Sequence, residues 1–283
     1  MSAATITEQE SKIAQGIHKL APWHMDIPIT NNISSGQTFD ALGERVFDTE
    51  KANVSLISPE RRFLNYIDKI YPNGMSGKRF LDCACNSGGY CFAVRSRDID
   101  QAIGFDVREH WIEQAKFVQQ HRTTSPTDRI HLQVMDLYDL PKQNLEPCDM
   151  TMFKGIFYHL PDPITGLKIA ADLTREVMWF NTQTLWGVDD GYLKIGSESR
   201  DHVMSGVHGL KWYPTGYNVL AKILAWLGFV DLKLTYNKQN PTLPHLGRVE
   251  FMAAKKPGML DQIEGETIEP FTDKIEKRLL STD

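Results

Sequence analysis

The stretch Arg79-Phe-Leu-Asp-Cys-Ala-Cys-Asn-Ser-Gly-Gly-Tyr90 constrains this chain more than any other. Phe80 and Leu81 read as the end of a short buried strand that Asp82 closes. Cys83 to Gly89 offers only small or turn-forming side chains, and Tyr90-Cys-Phe-Ala-Val94 resumes an apolar pattern. This is a strand, a tight loop and a helix start. Such a junction brings backbone N–H groups and a helix N-terminus up to a ligand, as in the first half of a nucleotide-binding βα unit. The glycine fingerprint of dinucleotide binders wants Gly where Ala84 and Asn86 stand, and only Gly88 keeps it.

The chain on either side fits that unit. Ile13 to Leu20 has apolar residues at helical spacing, Ala21 to Pro28 breaks the helix, and the turn-rich Asn31 to Gly36 completes a loop or lid. Ser58 and Pro59 are a cap and first helical position for an apolar face at Phe63, Ile67 and Ile70, ended at Asn73-Gly74. After the opening stretch, strands are expected at Gln101–Phe105, Ile130–Val134, Met150–Phe153 and Glu176–Asn181. The helical stripes Trp111/Ile112/Ala115/Val118 and Ile164/Leu167/Ala171/Thr174 lie between them. Residues 182–213 are a polar, Gly-rich excursion too long for a passive connection. Pro214 is expected to start a helix with its stripe at Val219, Leu220, Ile223, Leu224 and Leu227 and Gly228 as a left-handed cap. Val230–Tyr236 and Arg248–Ala254 form an antiparallel hairpin at the sheet edge.

The expected class is therefore α/β: a Rossmann-like, doubly wound, mostly parallel sheet with an antiparallel C-terminal edge hairpin, plus an N-terminal helical and loop cap. The expected division is a cap and lid over 1–75, a core domain over 76–256 with a substrate-side insertion at 182–213, and a polar tail over 257–283.

Composition excludes several classes. With 41% hydrophobic and 24% charged residues the chain can build a sizeable core. A formal net charge of −5 with scattered Lys and Arg gives no broad footprint for nucleic acid or an anionic membrane. No apolar run of spanning length and no leader pattern occurs, so a cytoplasmic location is expected. Cys83, Cys85, Cys91 and Cys148 lack the spacers and second ligand pair of a zinc site and read as small, reduced core residues, with no metal expected.

Strand ends carry the chemistry. A carboxylate at the second strand end, Asp106, can accept both hydrogen bonds from ribose hydroxyls, and Asp136 at the third strand end would face an adenine edge. The loop from Cys83 to Gly88 would wrap the remaining arm. The plainer alternatives are a helix cap for Asp106 and a turn for Asp136. Ala84 and Asn86 crowd a pyrophosphate, so a nucleoside without phosphate fits better, and that points to S-adenosylmethionine. Candidate cofactor contacts are Trp23, Asp82, Ala84, Cys85, Asn86, Gly88, Asp106, Val107, Asp136, Leu137, Lys154 and Tyr158.

The motifs Phe80–Tyr90, Gly104-Phe-Asp106, Met135–Tyr138 and Phe153–Pro163 resemble those of class I S-adenosylmethionine-dependent methyltransferases, a resemblance spanning residues 79–254. Within that superfamily Pro22-Trp-His24, Gly155–His159, Trp212–Thr215, Leu227–Leu232 and Arg248–Pro257 look like the tRNA wobble-uridine carboxymethyltransferase branch. The resemblance implies that a donor carboxylate would be held by a Lys after the Pro-Trp pair, by Tyr158 and by Arg248. His24-Met25-Asp26 stands where that cation is wanted, and Asp26 would repel a carboxylate, so the plain methyl donor is expected.

For the acceptor, His159 is the first candidate base, since it follows the fourth strand end, with capping of the Pro-rich loop as its structural alternative. His24, His202 and His208 are further candidates, each also readable as a surface or core histidine. Trp23 either closes over the donor or staples the N-terminal segment. Asn181, Arg200, His202, Trp212, Tyr213 and Arg248 are candidate acceptor contacts. The expected activity is methyl transfer to an O, N or S nucleophile of a small molecule. A tRNA-modifying enzyme is the alternative, and a non-catalytic nucleotide-binding module a third reading. Oligomeric state and acceptor identity stay open.

Overall fold

The structure, a computed structural model, describes residues 7–46, 56–58, 60–188 and 190–269. The chain divides into two compact units, Met1–Asp136 and Leu137–Asp283.

In the first unit, α1 (Glu8–Lys19) opens on a capping box: Thr7 Oγ1 accepts from Glu10 N–H and Glu10 answers on the Thr7 N–H. The same Glu10 carboxylate accepts from Asn32 Nδ2 at 2.9 Å and so anchors the turn that follows. Backbone donation from Thr7 first, then the Asn32 side chain, hold its carboxyl below the usual range. Residues 21–29, expected as a loop or lid, form an extended strap in which Trp23, Met25, Ile27 and Ile29 are all buried. The prolines suppress a helix, but the period-two apolar pattern buries one edge of the segment. α2 (Glu60–Ile70) buries Phe63, Tyr66, Ile67 and Ile70, the face the sequence predicts; Pro59 lies outside the described residues.

The strands β1 (Arg79–Cys83), β2 (Gln101–Asp106) and β3 (Ile130–Val134) pair in parallel in the order β1-β2-β3. α3 (Gly89–Arg95) and α4 (Glu109–His121) join them. The strap is tied to α4: the buried Gln114 donates from Nε2 to the carbonyls of Leu20 and Pro22. Just beyond α4, Thr123 N–H reaches Ile29 O at 2.7 Å. Gly16 of α1 sits against Phe117, where any Cβ would come within 2.4 Å of the ring.

The second unit carries the strand order β4-β5-β9-β8-β10. β4 (Cys148–Lys154) and β5 (Thr174–Leu185) are parallel and joined by α5 (Pro163–Asp172), whose cap is Asp162. β6 (Leu193–Ser197) and β7 (Leu210–Pro214) make a separate antiparallel hairpin within the polar, Gly-rich excursion. Pro214 ends β7 rather than starting a helix, and α6 (Asn218–Trp226) is capped from a distance by Asp190, which accepts from Asn218 N–H. Gly228 follows α6 at φ +90°, the left-handed turn expected of it.

β8 (Asp231–Gln239) and β9 (Leu246–Ala254) form the antiparallel hairpin the alternation predicts. β9 is the inner strand of the pair, against β5. Beyond Lys255, where only a polar tail is expected, Leu260 and Ile263 are buried and β10 (Glu266–Thr267) pairs with β8. Residues 270–283 of that tail lie outside the described residues.

Candidate functional site

In the first unit β1 runs into a loop whose backbone alternates into the left-handed region: Ala84 at φ +59°, Asn86 at φ +51° and Gly88 at φ +77°. Glycine fits such positions without strain and Asn tolerates them, whereas Ala carries a steric cost. The turn is fixed by Cys85 N–H to Phe105 O at 2.8 Å and Gly88 N–H to Cys85 O at 2.9 Å. Cys85 and Cys91 close over Gly104 of β2, where a Cβ would meet both sulfurs near 3 Å. Burial first, then the Asp82 charge, pushes both thiols well above the usual range, so they stay protonated packing groups.

Asp106, at the end of β2, is 7% exposed and faces that loop. One oxygen, Oδ2, accepts from Asn86 N–H at 3.0 Å, and Oδ1 accepts from Arg108 N–H at 3.0 Å. Burial raises the carboxyl to about 6 against the opposing pull of the Arg108 and Asn86 amides. A carboxylate is an acceptor-only group with several lone pairs, the kind of partner a vicinal diol needs. Val107 and Val134, beside this carboxylate on adjacent strand ends, are exposed apolar side chains on which a flat base can rest. The loop from Cys83 to Gly89 contains no cation, which suits a nucleoside donor rather than a phosphate ester. The donor set therefore fits S-adenosylmethionine. Asp82 is buried behind the loop and Asp136, after β3, is half-buried.

Other first-unit candidates take different places. Trp23 is fully buried, its Nε1 donates to Ile17 O at 2.9 Å, and its ring lies 6.5 Å from Phe117. In this place it staples the strap to α1 and α4. His24 is half-buried, with its carbonyl accepting from Ile57 N–H. Asp26 Oδ1 accepts from Gly36 N–H, which fixes a turn that only Gly at 36 can make, since a Cβ there would come within 2.5 Å of the carboxyl.

In the second unit β4 ends at Lys154, whose Nζ lies 4.9 Å from the centre of the Trp179 ring. Gly155, at φ +74°, turns the chain into a short 3-10 helix, Phe157–His159. There His159 Nδ1 lies 2.6 Å from Glu198 Oε2. Glu198 was not a sequence candidate. Its other oxygen lies 3.4 Å from Lys211 Nζ, and Gly206 N–H donates to Oε2 at 2.9 Å. Burial would raise this carboxyl, but the His159 bond and charge, the Gly206 amide and the Lys211 charge together hold it below the usual range.

Tyr158 stacks obliquely on His159 with ring centres 4.0 Å apart, and Lys211 Nζ sits 5.3 Å from the Tyr158 ring and 5.5 Å from the Tyr213 ring. Trp212 Nε1 reaches Pro161 O at 3.3 Å. Tyr158, His159 and Tyr213 therefore gather around Glu198 and Lys211, and Trp212 packs on the Pro161 backbone. Arg200 and His202 serve their own loop: Arg200 donates to His208 O and His202 Nδ1 accepts from Met204 N–H. His208 packs edge-on to Tyr138 at 6.3 Å. Leu137 is buried. On the sheet, Asn181 accepts from Arg248 at 2.7 Å and donates to the buried Glu250 at 3.2 Å, so Arg248 and Asn181 form a pair.

The first unit thus carries a cation-free loop beside a buried carboxylate, the second a histidine–carboxylate pair, and the fold is Rossmann-like α/β. Residues 75–207 match the family model described as "Methyltransferase domain". The chain is 31% identical over 159 residues to the tRNA U34 carboxymethyltransferase of Pseudomonas putida (strain GB-1), covering 56% of this chain and 48% of that protein. It is 26% identical over 185 residues to the enzyme of the same name from Campylobacter concisus (strain 13826), covering 59% and 61%. The chain thus spans about half the length of the Pseudomonas relative. Among solved structures it is similar in fold to the N-terminal domain of EvdMO1 in the presence of SAH and D-fucose, with a TM-score of 0.66, 16% identity, and coverage of 90% of this chain and 100% of that one. No helix among the described residues is long and apolar enough to cross a membrane, and none of their His, Cys, Asp and Glu side chains gather in a metal-holding group of three.

Proposed function

We propose that the chain transfers the plain methyl group of S-adenosylmethionine to a nucleophile on a small molecule. The observation that carries this reading is the buried Asp106 carboxylate at the end of β2, fixed by the Asn86 and Arg108 amides beside a loop that holds no cation. When bound, the donor supplies a methyl group already activated by its sulfonium. The protein then has to orient donor and acceptor, exclude water, and remove a proton where the acceptor carries one.

In this reading Asp106 takes the ribose, Val107 and Val134 flank the base, Asp136 faces its polar edge, and the Ala84–Gly88 loop lies along the methionine arm. His159, Tyr158, Trp212, Tyr213 and the Asn181–Arg248 pair face the acceptor. A plain donor is supported by the sequence His24-Met25-Asp26, which puts an acid and no Lys after the Pro-Trp pair. A cytoplasmic setting belongs to the same proposal.

The second reading, modification of tRNA, is favoured by the names of the Pseudomonas and Campylobacter relatives. The net charge of −5 weighs against it, because phosphate contacts dominate nucleic-acid affinity. Incubating the protein with methyl-labelled donor and either total tRNA or a metabolite extract decides. Label in the metabolite fraction is expected; label in the RNA would contradict the small-molecule reading.

A further inference from the structure

The hairpin β6–β7 and the loop between its strands bring Glu198 against His159 and Lys211 against Glu198. Glu198, just after β6, is nearly buried and meets Nδ1 at 2.6 Å. Lys211, in β7, meets the far oxygen of Glu198 at 3.4 Å. Gly206 closes the loop over the pair: a Cβ there would come within 2.8 Å of His159 Cβ and 3.0 Å of Glu198 Oε2. The titratable and charged groups facing the imidazole are Glu198, Lys211 and Tyr158, with Tyr213 beyond Lys211.

The tautomer follows from this geometry. A carboxylate paired with Lys211 and accepting from Gly206 N–H has no proton to give, so the short contact requires the proton on His159 Nδ1. The Gly206 amide, 2.9 Å from Glu198 Oε2 and 3.1 Å from Nδ1, then belongs to the carboxylate. Among the described residues none bonds Nε2. An imidazole held with its Nδ1 proton on a carboxylate and its Nε2 bare is built to accept a proton.

We infer that Glu198 and Lys211 are positioning residues that set His159 as a general base through Nε2, and that the acceptor nucleophile is a hydroxyl. The inference rests on the methyl-transfer reading above. An amine at its neutral form already presents a lone pair, and a thiol ionises near pH 8.5, whereas a hydroxyl needs its proton removed as it attacks. The hydroxyl oxygen forms its bond to the methyl carbon while the carbon–sulfur bond breaks with its electron pair to sulfur. The hydroxyl proton passes to Nε2 and leaves to solvent, giving a methyl ether and a neutral thioether.

Two measurements on the full chain test this. In nitrogen-resolved NMR of the histidine rings, with His159 assigned through His159→Asn, neutral His159 is expected to carry its proton on Nδ1. Glu198→Gln, close in shape, is expected to weaken that tautomer preference. A proton on Nε2 in the wild type, or a tautomer unmoved by Glu198→Gln, would overturn the arrangement. In the second, carbon-13 methyl donor is offered with matched hydroxyl, amine and thiol acceptors, D-fucose among the hydroxyls. Label on oxygen, lost at least about tenfold in Glu198→Gln with donor affinity unchanged, is expected; label on nitrogen or sulfur, or on no hydroxyl, overturns the hydroxyl assignment. Donor affinity measured separately by calorimetry shows whether a failure lies with the base or with the donor cradle.

Discussion

Asn86 N–H donates to Asp106 Oδ2 across 3.0 Å, tying the loop after the first strand to the end of the second. That bond sets both the loop's conformation and the aim of the carboxylate. It also makes the loop sensitive to what stands at 84 and 86.

Ala84→Gly is expected to stabilise the protein slightly. Relief of a left-handed alanine is worth roughly 1–2 kcal/mol, offset by about 0.5–1 kcal/mol of unfolded-chain entropy. The net gain should raise the melting temperature by a few degrees at most. Asn86→Val should do the opposite, because a β-branched residue at φ +51° is strained. Thermal melts of both variants check the pair.

Asp106 gives the site a pH dependence. Its carboxyl is raised to about 6 in the folded chain against 3.8 ordinarily, so the folded state holds the proton more tightly than the unfolded one. Its contribution therefore favours the unliganded fold at low pH and is lost as pH rises from near 4 through about 6. Above that the ionised group costs on the order of 3 kcal/mol. Donor hydroxyls want the carboxylate, so donor affinity should rise with pH through about 6 and level off above it. One unit lower, binding should be about tenfold weaker. Calorimetry across that range checks the direction, and Asp106→Ala should abolish it.

Trp23 separates a staple from a lid. Trp23→Ala is expected to cost about 3–5 kcal/mol of stability, and Trp23→Phe, which loses the Ile17 bond, about 1 kcal/mol. Neither should change donor affinity in protein that remains folded. A donor Kd shifted several-fold in the Phe variant would return Trp23 to the ligand.

The strands β1 to β5, β8 and β9 were legible because each rests on local pattern, a short apolar run or alternation with a polar stop, and the turn after β1 because of its small residues. Asp106 stands at the end of β2, where the run Gln101–Phe105 puts it. The strap was not legible as a buried segment, although Trp23, Met25, Ile27 and Ile29 alternate at period two, because its prolines read first as a break. Glu198 was not legible. It sits in a polar excursion with no periodicity, and its meaning comes from His159, far away in sequence and joined to it only through the β6–β7 hairpin. Pro214 misled because proline is as much at home at the end of an edge strand as at a helix start. What the sequence could not carry were contacts whose two halves lie on different elements.

The most direct measurement is calorimetric titration of the whole chain with S-adenosylmethionine, in the wild type and in Asp106→Ala. Saturable one-to-one binding is expected in the wild type. In the variant it should weaken by about 1.5–3 kcal/mol, roughly ten- to hundredfold in Kd. No binding at millimolar donor, or equal affinity in the two proteins, would contradict the account.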